Sequence, residues 1–220
     1  MRHRAPTMSG RAGWSGAPAT SRSSAASAAG SSRGQSLVEF ALVFPIFIMM
    51  LMGFLEFAFV FHALLSIGHA SRDAALVAAE AGNARGADCV ILQQVERDVA
   101  SPADKARITQ VSIYRADQNG RVLGGQQNLY VRAGTTTCVL PDGSSLTVPY
   151  SATSATYADT VRCNIQAGCP TLGVGRTLDT IGVKVTYQHG WVTPLSNLVS
   201  LSGSGATLVQ SNAMRMEPVL

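Results

Sequence analysis

Charge is scarce in this chain. Charged residues make up 14% of its 220 positions, where a soluble protein usually carries ~25%, and the shortage points away from a wholly solvated domain. Catalytic arrangements are missing as well. His62 and His69 stand seven residues apart with no His-Glu-x-x-His around them, so neither reads as the zinc ligand of a metalloprotease. Gly203-Ser204-Gly205 lacks the spacing and the strand–helix setting of a nucleophile elbow. Gly124-Gly125 and Gly173-Val174-Gly175 lack the lysine or helix start of a phosphate loop and read as turns. The 4 cysteines include no Cys-x-x-Cys pair, which disfavours a zinc site. The expectation is a non-enzyme with no catalytic residue, no metal and no cofactor.

Acidic residues are absent from the first 38 positions. Arg2, Arg4, Arg11, Arg22 and Arg33 all precede Gln35. Removing those five from 17 basic residues leaves 12 against 13 acidic, so residues 35–220 carry about −1. The basicity belongs to the leader. A nucleic-acid partner would need a basic face on the folded part, so none is expected. Residues 1–34 are rich in Ser, Ala, Gly and Arg, cannot bury a core and are expected to be disordered. They read as a cytoplasmic leader; a non-functional tail, or a true start at Met8, is the alternative. Only Arg72 and Arg85 follow the apolar run closely, beside Asp73 and Glu80. The positive-inside rule then places the N-terminus in the cytoplasm and the rest of the chain outside.

Long apolar sequence is what the chain does have. From Ala41 to about Leu65 the run is broken only by Glu56 and His62. A bilayer core of ~30 Å needs ~20 helical residues, and the apolar core of a secretory signal peptide has only ~7–15. A retained membrane helix is therefore expected. Glu39 and Glu56 lie about 25 Å apart along it at ~1.5 Å per residue, so Glu39 falls near the cytoplasmic interface and Glu56 in the outer half. A central charge costs ~2.5–3.5 kcal/mol on insertion scales. Glu56 either snorkels or protonates near the outer interface, or packs against another helix. Pro45 removes one helical hydrogen bond and is expected to kink or unwind residues 41–45. Gly53 offers a flat spot for close helix approach.

Gly34-Gln35-Ser36-Leu37-Val38-Glu39-Phe40-Ala41-Leu42-Val43-Phe44-Pro45 closely resembles the N-terminal signature of TadE-like proteins, pseudopilins of the bacterial tight-adherence (Tad, or Flp-type) pilus systems. The similarity continues through Gly53-Phe54-Leu55-Glu56-Phe57 and Ala70-Ser71-Arg72-Asp73-Ala74-Ala75, and covers about residues 33–82. Asn212-Ala213-Met214-Arg215-Met216-Glu217 is similar to the family's closing strand. The resemblance implies cleavage by a prepilin peptidase between Gly34 and Gln35, a bond made accessible by a residue without a side chain. Glu39 would become the fifth mature residue and pair with the free amine of a neighbouring subunit, setting register. Such a pair compensates the desolvation of each partner. The alternative is an uncleaved anchor with Glu39 in the headgroup region.

Beyond the span, His62 to Ala81 extends the helix, with Gly82-Asn83 as its stop. Asp88 to Val99 reads as a second helix with Ile91, Val95 and Val99 on one face, ended by Ser101-Pro102. From Arg107 a hairpin turns at Asp117-Gln118-Asn119-Gly120. Asn128–Arg132 and Ser145–Tyr150 read as short strands, Ile181–Tyr187 as the best strand and Ala206–Met216 as the last. Most of residues 134–175 read as a long loop, and Trp191–Leu195 as a strand end and turn packing on the sheet. Cys89, Cys138, Cys163 and Cys169 all fall on the outer side, where disulfides persist. Of three connectivities, Cys163–Cys169 with Cys89–Cys138 is preferred.

The expected fold is α+β: a leader over 1–34, a long N-terminal transmembrane helix with its extension over 35–82, and an extracytoplasmic helix plus small antiparallel sheet over 83–220. The expected protein is single-pass in the bacterial inner membrane. It joins, initiates or caps a Tad-type pilus used in adhesion or secretion. Its partners would be membrane lipid, other pilins or pseudopilins, the prepilin peptidase and the Tad inner-membrane assembly platform. The alternative function is a membrane-anchored extracytoplasmic binding module with no pilus role.

Overall fold

The computed structural model describes residues 32–194 and 205–218. The leader up to residue 31, Met8 included, and Leu195 of the expected turn lie outside the described residues.

Helix α1 covers Ser32–Ala81, a single 50-residue element that is helical through Pro45. Unwinding at Pro45 therefore does not interrupt it. Apolar side chains surround α1 on every side over its first half, the pattern of a helix immersed in lipid rather than laid on a core. The second half differs. Ala63, Ile67, Ala70, Ala74 and Ala78 are buried and recur at helical spacing, so this part packs one face against the folded domain. Alanines there let the helix lie close to its neighbours. Gly82 stops α1 with φ 56° and its N–H on the Ala78 carbonyl, a left-handed cap that a side chain would strain.

Helix α2 covers Ala87–Asp98 and buries Cys89, Ile91, Leu92 and Val95. Among the described residues seven strands follow: β1 Ile108–Ala116, β2 Val122–Val131, β3 Thr136–Val139, β4 Ser145–Val148, β5 Ser151–Ala155, β6 Thr180–Gly190 and β7 Gly205–Arg215. Five of them form one antiparallel sheet in the order β5-β2-β1-β6-β7, and β3 and β4 form a separate hairpin. The α+β class and the antiparallel sheet agree with the sequence reading. The core joins the buried alanines of α1, Ile91, Leu92 and Val95 of α2, and Val111, Ile113, Val183 and Val185 of the sheet.

The β1–β2 turn is built as its sequence demands. Asp117 Oδ1 accepts from the backbone N–H of Asn119 and of Arg121, both at 2.8 Å, so the aspartate closes the turn locally. Val122–Val131 is one strand where a turn and a shorter strand were expected. Gly124 and Gly125 lie inside it, in a bulge opposite Tyr114–Ala116. The long loop expected over 134–175 is also corrected. It holds β3, β4 and β5, with short helical turns at Asp159–Val161 and Pro170–Leu172.

Two disulfides fasten this region. Cys89 of α2 is bonded to Cys138 of β3, and Cys163 to Cys169, with Cα separations of 6.1 and 5.7 Å. The first ties the β3–β4 hairpin to α2.

Candidate functional site

The foot of α1 comes first in the chain. Gly34, Gln35 and Glu39 are exposed, and Gln35 Nε2 donates to Glu39 Oε1 at 3.2 Å across one helical turn. A Cβ added at Gly34 would meet nothing within 4 Å, and its backbone is not left-handed. Glycine in a helix costs ~1 kcal/mol relative to alanine. Nothing among the described residues compensates for that cost at position 34. The N–H groups of this first turn also lack helical acceptors, which makes it the easiest part of α1 to open.

Above the foot, Leu37, Phe40, Leu42, Val43, Ile46, Phe47, Met50 and Leu51 are all exposed. Phe40 and Phe44 have ring centroids 5.1 Å apart on one flank. Gly53 is half-buried. Residues 37–55 measure about 28 Å at ~1.5 Å per residue, close to the ~30 Å hydrocarbon core. One N-terminal apolar helix of this kind fits a single-pass membrane protein.

The apolar flank ends at Glu56, and here the structure departs from what the sequence displays. Glu56 is buried, and its partners belong to the chain's own sheet rather than to a second helix. Oε1 accepts from the Val192 N–H at 3.0 Å and faces His189 Nε2 at 3.2 Å. Oε2 accepts from the Thr193 N–H at 2.8 Å. The carboxylate thus caps the backbone just after β6 and holds that end of the sheet against α1. Trp191 sets its ring edge-on to His189, with centroids 6.2 Å apart. β7 begins beside this site at Gly205, where a side chain would collide with the His189 carbonyl.

Further along α1, Asn212 Nδ2 of β7 donates to Ser71 Oγ at 2.6 Å, and the Glu217 N–H donates to the Ala79 carbonyl at 3.1 Å. Glu56, Ser71 and Ala79 are three attachment points along one helix. The helical segment after the span is therefore a fixed side of the domain.

Three other carboxylates act as structural hubs, each accepting a tyrosine hydroxyl. Asp88 Oδ2 accepts from Tyr130 at 2.6 Å and from Asn128 Nδ2 at 2.7 Å, while its other oxygen pairs with the buried Arg162. Glu96 accepts from Tyr150 and pairs with Arg132. Asp179 accepts from Tyr157 at 2.9 Å and is bracketed by Arg115 Nε at 2.9 Å and Arg176 Nη2 at 2.7 Å. Burial, aided by the neighbouring carboxylates, pushes all three phenols well above the ordinary tyrosine range, so they remain donors. Arg85, Asp88, Asn128, Tyr130 and Asp159 line a cavity of about 310 Å³. Its Asp88, Asn128 and Tyr130 bond one another, which suits them to holding α2 on the sheet.

Sequence reasoning missed His189, Val192 and Thr193. Two of them act through backbone N–H groups, which no side-chain pattern can announce. The only available signal was Glu56 itself, a carboxylate at the end of an apolar run that needed some partner.

No curated protein and no solved structure matches the chain. A family model does match, and it covers the segment whose geometry is described above, from the unexplained glycine through the apolar flank and past the Glu56 clasp. Residues 34–76 match the TadE-like protein family, so the chain carries a TadE-like segment that begins at Gly34 and takes in most of α1.

Proposed function

We propose that this protein is a TadE-like pseudopilin or minor pilus component, working by helix packing in the membrane during biogenesis of a Tad/Flp-type pilus. The TadE-like segment associates the chain with Tad pilus components. The observation that carries the finer reading is the foot of α1: a glycine with no packing role among the described residues, followed at once by an exposed apolar helix that carries one carboxylate, Glu39. A prepilin peptidase would cut between Gly34 and Gln35. Cleavage would turn the Gln35 nitrogen into a free ammonium one helical turn from Glu39, whose carboxylate accepts from the Gln35 side chain. In a stack of subunits that carboxylate would take the ammonium of a neighbour, because an unpaired charge beside lipid is penalised and a paired one is not.

The orientation follows from the arginines before Gln35, with the N-terminus cytoplasmic and the sheet domain outside the inner membrane. In this reading residues 1–34 are a leader, Pro45 and Gly53 are helix-packing positions, the assembly platform is a partner, and the role is structural rather than catalytic. The test is complementation in the host. Deleting the gene abolishes or shortens Tad-type pili, wild type restores them and Glu39→Ala does not, with equal protein levels. Normal pili in the deletion strain would leave a membrane-anchored binding module as the better account.

A further inference from the structure

The folded domain does not only hang from its span. Near Glu56, in α1 and in the loop that it holds, large apolar groups are exposed. Val192 is 58% exposed, Phe57 68% and Phe61 52%. Phe57 and Phe61 stack one turn apart on α1, with centroids at 6.2 Å. Trp191, half-buried, adjoins Val192. Glu56 accepts the N–H groups of both Val192 and Thr193, so these two backbone donors of the loop need no water. The same bonds give the glutamate donors at the depth where an unpartnered carboxylate is costly. Asp104 and Arg107 lie beside His189 and Val192 around a cavity of about 100 Å³ and bring charged groups to that level, as headgroups require. The continuity is along α1: Met50, Leu51, Phe54 and Leu55, just before these groups, are apolar and exposed.

We infer that Trp191 and Val192, together with Phe57 and Phe61, form an apolar collar that seats the domain in the headgroup and upper acyl region of the leaflet from which α1 emerges. The occupant of this surface is phospholipid. The exposed part of the Trp191 indole is apolar ring, since its Nε1–H is buried in the domain, and such rings are enriched at membrane interfaces. The collar fixes the height of the domain above the bilayer, and Glu56 is the positioning residue that holds the loop down. The inference rests on α1 spanning the membrane, so the experiment reports on both.

The chain has 2 tryptophans, Trp14 and Trp191. The full-length W14F protein, reconstituted in phosphatidylcholine nanodiscs, reports from Trp191 alone. A W14F/W191F/F47W protein reports from the span. Each is measured with lipids brominated high on the acyl chain and with lipids brominated near its end. The collar predicts that Trp191 loses about half of its emission to the shallow bromines and less to the deep ones. The Phe47→Trp reporter is quenched best by the deep ones. Val192→Asp in the W14F background, which keeps the backbone bond to Glu56, reduces the quenching of Trp191. Unquenched Trp191 with a quenched span reporter overturns the collar and leaves the span intact. If neither is quenched, the membrane reading of α1 fails and the collar fails with it.

Discussion

The carboxylate of Glu56 and the imidazole of His189 meet at 3.2 Å across 133 residues of chain. One is a buried carboxylate of α1, the other the penultimate residue of β6. Their meeting, with the Val192 and Thr193 N–H groups on the same carboxylate, ties α1 at that level to the chain at the end of β6. Beyond it, Ala63, Ile67 and Ala70 face the domain core while Phe57, Phe61 and Leu65 are exposed.

Removing that carboxylate should release the loop. Glu56→Ala leaves two backbone donors without an acceptor, and hydrogen bonds to a charged acceptor contribute about 1.5–3 kcal/mol. The expected outcome is much faster amide exchange at Val192 and Thr193 and a stability loss of about 2 kcal/mol, with Glu56→Gln intermediate. His189→Ala should cost less, because both backbone donors remain. Unchanged exchange at 192 and 193 in Glu56→Ala would show that the clasp does not hold in solution.

Arg162 is buried with a side chain that is 0% exposed, and Asp88 is its paired carboxylate. Asp88→Ala strands that guanidinium and removes the acceptor of Tyr130 and Asn128, so a loss of about 3–5 kcal/mol is expected. Asp88→Asn, which keeps one acceptor oxygen, should lose less. Thermal melts of the two variants in detergent check the order.

The two disulfides should not be equal. Cys89–Cys138 closes a separation of 49 residues and Cys163–Cys169 one of 6. Chain-entropy reasoning assigns about 4 kcal/mol to the first and about 2 to the second. A Cys89→Ser/Cys138→Ser protein should therefore melt lower than a Cys163→Ser/Cys169→Ser protein. The β3–β4 hairpin should be its first site of proteolysis, since that hairpin is tied to α2 through Cys138.

Asp98 gives a pH signature outside the span. Burial raises its carboxyl above the ordinary range and the negative Asp73 adds to this, while Gln94 opposes it. A raised folded value means that the folded state holds the proton more tightly than the unfolded one. The associated stability is fully present below the unfolded pKa and is lost as pH rises through the raised folded value. Asp98→Asn should flatten that decline as pH rises above the ordinary aspartate range of about 4 in melts recorded across pH.

Much of this fold was legible because some elements carry their own physics. The alternation of Ile181, Val183, Val185 and Tyr187 marks β6, and all four are buried. Asp117–Gly120 builds its turn from its own side chain, and Gly82 caps α1 with its own backbone. The strands within 134–175 were not legible. β5 reads Ser-Ala-Thr-Ser-Ala and shows no buried face, since it is an edge strand whose pairing with β2 comes from tertiary contact. β3 and β4 are held by each other and by the bond from Cys138 to Cys89. In the candidate site, Gly34, Gln35 and Glu39 were legible as a contiguous motif. Glu56 was visible only as an isolated carboxylate, because its partners are backbone groups brought in from the far end of the sheet.

The most direct test is the intact mass of the membrane-extracted protein, made with its cognate prepilin peptidase and again without it. A mass that begins at Gln35 only when the peptidase is present is the result this account predicts. The same N-terminus in both samples, with the leader still attached, would contradict it and leave α1 as a plain anchor.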